Sequence, residues 1–235
     1  MTTLIPKYDQ GATGAVNRDI NLKLAETVSV KDFGAVGDGV TDDSVAIANA
    51  IAFATTSVST IYPTQLYFPN GQYLITQNNW IGANITTTYG GLSDFIFVGA
   101  GRTATTIIFK PSVANGTCYD QTLSVKGLIG VEFKNIGITF DNSANGSQPV
   151  HFIKSVSSAP GGQASQNFKL DTVTFTGVAG AILFNLGGTV NEDLVSCVNL
   201  RVVAFESIVV CTNLESLVHN FYSLDLINIT GDVFS

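Results

Sequence analysis

Residues 28–54 read VSVKDFGAVGDGVTDDSVAIANAIAFA. The stretch has four parts: an alternating segment (Val28, Val30), a glycine-rich turn (Gly34, Gly37, Gly39), an acidic helix start (Thr41-Asp42-Asp43) and an apolar helix. Thr41 or Asp42 is placed to cap the first unpaired N–H groups, and Asp42 and Asp43 suit the positive end of the helix dipole. Ile47, Ala50, Ile51 and Ala54 recur at helical spacing and predict one buried face. The glycines do not make a phosphate-binding loop. That loop needs a Lys-Ser/Thr pair after its last glycine, and a dinucleotide fingerprint needs G-x-G-x-x-G. Two aspartates follow instead, and they would repel phosphate. Asp38, Asp42 and Asp43 are read as turn and cap residues, not as metal ligands.

Composition sets the class. The 235 residues suffice for one domain, or one with a small appendage. Charged residues make up only 12% and hydrophobic residues 45%, with 23 glycines. Few charges among many β-branched and amide residues point to an all-β solenoid. The net charge of −7 comes without a basic cluster, which argues against a nucleic-acid partner. Three cysteines, Cys118, Cys197 and Cys211, give neither a disulfide framework nor a zinc site, and are read as packed apolar residues. The N-terminal residues lack the pattern of a secretory signal, and no apolar run reaches transmembrane length, so no membrane insertion is expected.

A period runs through the second half. VEFKNIGITF, FKLDTVTF, VNLRVVAF and YSLDLINI each read apolar-x-apolar-x-x-apolar-x-apolar. The two-residue steps are strand alternation, and the three-residue step is a bend between strands. The pattern predicts an inward column of Val131, Phe168, Val198 and Tyr222, and a second of Phe133, Leu170, Leu200 and Leu224. The bend pairs are then Lys134-Asn135, Asp171-Thr172, Arg201-Val202 and Asp225-Leu226. Successive copies are offset by 37, 30 and 24 residues (133 to 170, 170 to 200, 200 to 224), as expected of a coil with loop insertions. A third apolar segment follows each copy, at 150–153, 181–186, 207–210 and 232–234, giving three strands per turn. The last turn breaks off at Ser235, which creates the expectation of further turns and a cap beyond it.

The opening motif at 28–54 resembles that of the right-handed parallel β-helix proteins of the pectate-lyase-like superfamily, where a short helix plugs the N-terminal end of the solenoid. LYFPNGQYLIT (66–76) and FIFVGAGRTATTIIF (95–109) resemble that superfamily's first turns. The resemblance implies an all-β, right-handed parallel β-helix with an N-terminal capping helix. It also implies three regions: 1–27, 28–120 with the helix and first irregular turns, and 121–235 with the regular turns. Bacteriophage tailspikes and tail fibres belong to this superfamily, and NRDINLKLAETVSVKDFGA resembles their N-terminal anchor. On that resemblance Leu4, Ile5, Pro6, Tyr8, Asn17, Arg18, Ile20 and Leu24 would contact tail adaptor or baseplate proteins. A disordered leader is the alternative for the same residues.

The function implied is a virion tail component, made in the host cytoplasm, that forms a homotrimer and contacts host surface polysaccharide. The alternatives are a polysaccharide lyase or glycoside hydrolase, and a purely structural virion protein. Glycoside hydrolysis needs two carboxylates at a set separation. Asp171 and Asp225 share the outward bend position with Lys134 and Arg201 in this register, either as a substrate-facing column or as a solvated ladder of alternating charge. No catalytic pair, metal site or cofactor site is otherwise legible. His151 and His219 stand apart from any partner at ligand spacing.

Overall fold

A computed structural model describes residues 6–24, 27–56, 65–83, 92–121, 128–155, 165–186, 192–211 and 219–233. Parallel strands coil into a right-handed β-helix with three sheets per turn. The first sheet stacks Val28–Ser29, Gln65–Phe68, Ile96–Gly99, Glu132–Lys134, Ser165–Asp171 and the opening halves of Glu192–Val203 and His219–Ile227. The second stacks Asp38–Asp42, Gly71–Ile75, Thr105–Phe109, Gly137–Phe140, Thr174–Thr176 and the closing halves of the same two long strands. The third stacks Gly116–Asp120, Val150–Ser155, Ile182–Leu186 and Ser207–Cys211. The third segments expected from the repeat are therefore strands, except the last. There, Val209 N–H donates to the Val233 carbonyl without a strand forming, and Phe234 lies outside the described residues.

One cluster of buried side chains runs through the coil from Val28 to Val209. Aromatic rings form its axis. Phe97 and Phe133 stack at 4.5 Å with planes 12° apart, and Phe140 lies over Phe175 at 6.4 Å and 13°. Phe152 of the third sheet meets Phe133 at 5.3 Å and Phe175 at 4.7 Å, tying the sheets together. Each ring buried in this way contributes roughly 1.5–3 kcal/mol relative to exposure.

The opening motif closes the N-terminal end. Ser44–Thr56 is an α-helix whose Ile47, Ala50 and Ile51 are buried and whose Ala54 packs partly against the core. Before it, Val30–Phe33 forms a 3-10 turn held by a capping box between Ser29 and Asp32. Gly37 has a left-handed backbone (φ +68°), and a Cβ there would stand 2.8 Å from the Tyr73 ring, so neither the conformation nor the space admits a side chain.

Two expectations from the repeat need correction. Val131 and Phe168 do lie in one inward column and Phe133 pairs with Leu170, but the next two copies are displaced by three residues. Val195 follows Phe168, and Cys197 follows Leu170. Val198 instead pairs with Asp171 on the outside, half-buried, and Tyr222 beside it is 59% exposed. Leu200 and Leu224 pair with each other but open the second sheet, next to the Thr174–Arg201 pair. The corner between first and second sheets decides this. Asn135, Thr172, Asn199 and Ser223 all have left-handed backbones, with φ of 52°, 57°, 51° and 57°. The bends are thus Val198-Asn199 and Tyr222-Ser223. Placing them at Arg201-Val202 and Asp225-Leu226 would force branched apolar residues into a conformation that suits small polar ones.

The N-terminal segment forms a small unit of its own among the described residues. Lys7–Tyr8 and Arg18–Asp19 form an antiparallel ladder, and Ile20–Leu24 adds a helical turn. Ile20 N–H donates to the Pro6 carbonyl, and the Lys23 ammonium lies 6.0 Å from the centre of the Tyr8 ring. None of these residues joins the core cluster, and Leu24 is 68% exposed. Asn17 is exposed in the connecting turn, and Leu4 and Ile5 lie outside the described residues.

Candidate functional site

The acidic residues at the helix start have structural partners. Asp38 accepts hydrogen bonds from the Val40 and Thr41 N–H groups and from the Thr41 hydroxyl. The Thr41 N–H bond is foremost among those holding its carboxyl below the usual range. Thr41 thus serves the turn, and capping falls to Asp42, whose Oδ1 accepts from Ser44 N–H at 3.0 Å. Partial burial pushes the Asp42 carboxyl up, but hydrogen bonds from Ser44 and Thr76 outweigh it and the carboxyl is lowered. Asp43, 2% exposed, turns back to accept from Val36 and Gly37 N–H at 2.6 and 3.1 Å. It locks the glycine turn onto the helix.

Asp171 and Asp225 do not share a column, a consequence of the corrected register. Asp171 is on the first sheet, in an ion-paired lattice with Lys134 at 3.1 Å, while Glu132 meets Lys169 at 3.2 Å and Lys134 at 3.9 Å. Partial burial raises the Asp171 carboxyl, and bonds from Thr172 and Lys134 more than offset that, leaving it lowered. The four-charge column expected from sequence is replaced by this lattice and by a separate Arg201–Asp225 pair at 3.1 Å on the second sheet. Each aspartate thus sits opposite a cation, Asp171 opposite Lys134 and Asp225 opposite Arg201.

Two other polar places stand out. One is a groove of about 370 Å³ along the corner between first and second sheets, lined by Arg102, Thr172, Asn199, Leu200, Ser223 and Asp225. Three of the left-handed corner residues, Thr172, Asn199 and Ser223, are among its lining. The other is on the third sheet, where Asp120 (5% exposed) faces Lys154 at 3.7 Å and His151 is buried beside them. Burial, then the Lys154 charge, pushes the His151 imidazole down to about 4, so it is neutral near pH 7. Sequence reading noticed His151 and Asp225 but not Asp120, Lys154 or Arg102. Arg102 lies within the stretch 95–109 that the sequence did mark as an early turn, and only the stacking of turns brings it to Asn199. Among the described residues, no group of three or more His, Cys, Asp or Glu side chains could hold a metal ion. No helix among them is long and apolar enough to cross a membrane.

Coil, capping helix and sheet order together define a pectate-lyase-like β-helix. Residues 27–203 match the family of rhamnogalacturonase A/epimerase, pectate lyase-like proteins, and the chain belongs to that family. Similar proteins come from fungi and phages. A non-secreted LysM effector, LysM19, of Penicillium expansum is 54% identical over 52 residues, which is 20% of this chain and 4% of the effector. The pre-neck appendage protein of Bacillus phage B103 is 39% identical over 69 residues, 29% of this chain and 7% of the appendage protein. A capsule K30/K69-specific depolymerase of Klebsiella phage K64-1 is 29% identical over 128 residues, covering 47% of this chain and 15% of the depolymerase. The chain therefore spans only a small part of each of these relatives. Tailspike protein 3 of bacteriophage CBA120 aligns with a TM-score of 0.45 at 16% identity, over 87% of this chain and 36% of that one.

Proposed function

We propose that the protein is a bacteriophage tail component, a tailspike or tail fibre, that contacts host surface polysaccharide during adsorption. The observation that carries this is the 128-residue alignment with a phage capsule depolymerase, which extends well beyond the opening motif in length. The flat, stacked outer sheets suit an extended polymer, because every turn repeats the same spacing of about 4.8 Å. In this reading residues 1–27 attach the protein to tail adaptor or baseplate proteins, 28–120 seal and start the coil, and 121–235 carry regular turns. Pro6, Tyr8, Asn17, Arg18, Ile20 and Leu24, with Leu4 and Ile5, form the attachment surface. The assembly is a parallel homotrimer located in the virion tail and built in the host cytoplasm. Light scattering tests the trimer: a stable monomer at micromolar concentration overturns it.

Binding to an array of bacterial capsular glycans tests the central reading, and absence of any binding refutes it in favour of a purely structural virion protein. The same alignment favours a second reading, cleavage of the polymer. Release of reducing ends or of unsaturated sugars distinguishes hydrolase or lyase from simple binder.

A further inference from the structure

The corner groove differs in charge from the sheet faces beside it. Other cations on the outer sheets are matched: Lys134 with Asp171, Lys169 with Glu132, Lys110 with Asp141, Arg201 with Asp225. Arg102 is exposed and lines the groove, and among the described residues no carboxylate pairs with it. Asn199 and Ser223, on the facing turns, are likewise exposed, and their side chains have no hydrogen-bond partner among the described residues. In a chain of net charge −7 this is a local concave site with one uncompensated positive charge and two open polar groups.

The backbone around the site is pinned by neighbouring turns. Arg102 stands in the bend between Ile96–Gly99 and Thr105–Phe109, the same corner that holds Asn199 and Ser223 later in the coil. Gly137 lets that bend lie against the next turn, since a Cβ there would be 2.8 Å from the Arg102 carbonyl oxygen. Thr172 and Asn199 are fixed by backbone: Thr172 N–H donates to the Val198 carbonyl at 2.9 Å, and Asn199 sits one residue beyond it. Arg201 pins Asp225 at the groove edge. From the turn of Arg102 to the turn of Ser223 is four steps of the coil, roughly 19 Å. That is room for several linked sugar units lying along the axis.

We propose that this groove binds a saccharide chain bearing an anionic substituent, carboxylate or sulfate, with Arg102 taking the anion and Asn199 and Ser223 bonding neighbouring hydroxyl groups. The inference rests on the polysaccharide reading above and adds where the chain lies and what charge it carries. A guanidinium offers paired donors to a planar or tetrahedral anion, while the amide and hydroxyl both donate and accept, as sugar hydroxyls require.

The test uses the full chain on an array of hexuronate-containing, sulfated and neutral bacterial oligosaccharides, followed by calorimetry on the strongest binder. The expected result is binding to one anionic class, with the carboxylated and sulfated arms telling which. Arg102→Ala should weaken it at least about tenfold, Arg102→Lys less, and Lys134→Ala, outside the groove, not at all. Asn199→Asp keeps a residue tolerant of the left-handed corner and should also weaken binding, by placing a negative charge in the groove. Anionic binding unchanged in both Arg102→Ala and Asn199→Asp overturns the groove and leaves the polysaccharide reading standing. Preference for neutral glycans overturns it too. No binding on any arm overturns both.

Discussion

Replacing Phe133 by alanine tests how the coil is held together. Phe133 is fully buried, stacks on Phe97 at 4.5 Å, and meets Phe152 at 5.3 Å and Phe168 at 6.0 Å. Removing a buried phenylalanine costs about 3–5 kcal/mol through lost transfer energy and the cavity left behind. The ring pairs push the value toward the upper end, at about 0.5–1.5 kcal/mol each. Neighbouring turns cannot collapse into the gap, because their spacing is fixed by the strand hydrogen bonds. Tyr222→Ala is the matched control. It removes an aromatic ring of similar size that is 59% exposed, and should change stability by about 0.5 kcal/mol or less. Urea titration followed by circular dichroism reads both, with the midpoint shifting and the slope unchanged for a simple loss of stability. For a chain of this length the Phe133→Ala loss corresponds to a fall in melting temperature of roughly 6–20 °C. A cost below about 1 kcal/mol for Phe133→Ala, or an equal cost for Tyr222→Ala, would refute the register and the account of the core built on it.

Gly37→Ala should destabilise by about 1–3 kcal/mol, because the left-handed backbone and the Tyr73 ring both oppose a Cβ, and differential scanning calorimetry against Gly146→Ala, left-handed but open to solvent, separates the two causes. Asp141 is pushed up by burial but drawn down further by Lys110, 2.8 Å away, and by Ser143, leaving its carboxyl at about 2. A depressed carboxyl stabilises the fold above its unfolded value of 3.8, and that stabilisation drains away as pH falls through about 2. The stability of the wild type should therefore fall more steeply from about pH 4 to about pH 2 than that of Lys110→Met, as measured by urea midpoints. Deleting residues 1–27 should leave the circular dichroism of the coil intact while abolishing incorporation into phage particles, and normal incorporation would remove the attachment role.

The capping helix was legible because its signals are local: caps, glycines and helical spacing lie within thirty or so residues of one another. The turns were legible as a pattern but not in register. The stretch Val195–Phe205 carries apolar residues at 195, 197, 198, 200, 202, 203 and 205, so two frames three residues apart both satisfy the repeat. The deciding feature was conformational: a corner needs a left-handed backbone, and Asn199 accepts it far more readily than Val202. The carboxylate column inferred at Asp171 and Asp225 inherited that slip. The groove was illegible for another reason. Arg102 and Ser223 are more than a hundred residues apart, and only the count of intervening turns brings them to one corner.

That corner also sets which parts of the molecule are free to change. From Glu132 onward the connection between first and second sheets stays short, 134 to 137, 171 to 174 and 198 to 201, after the longer 29 to 38 and 99 to 105 connections of the first turns. The passages out of the third sheet, 155 to 165, 186 to 192 and 211 to 219, differ in length from turn to turn, as do those into it. A residue inserted beside Asn135 would invert the inside and outside of the strand that follows. An insertion in the Ser143–Asn145 turn would leave every strand face where it was. The regular turns thus separate a fixed metric from variable ornament, and two of the three corners can lengthen without refolding the coil.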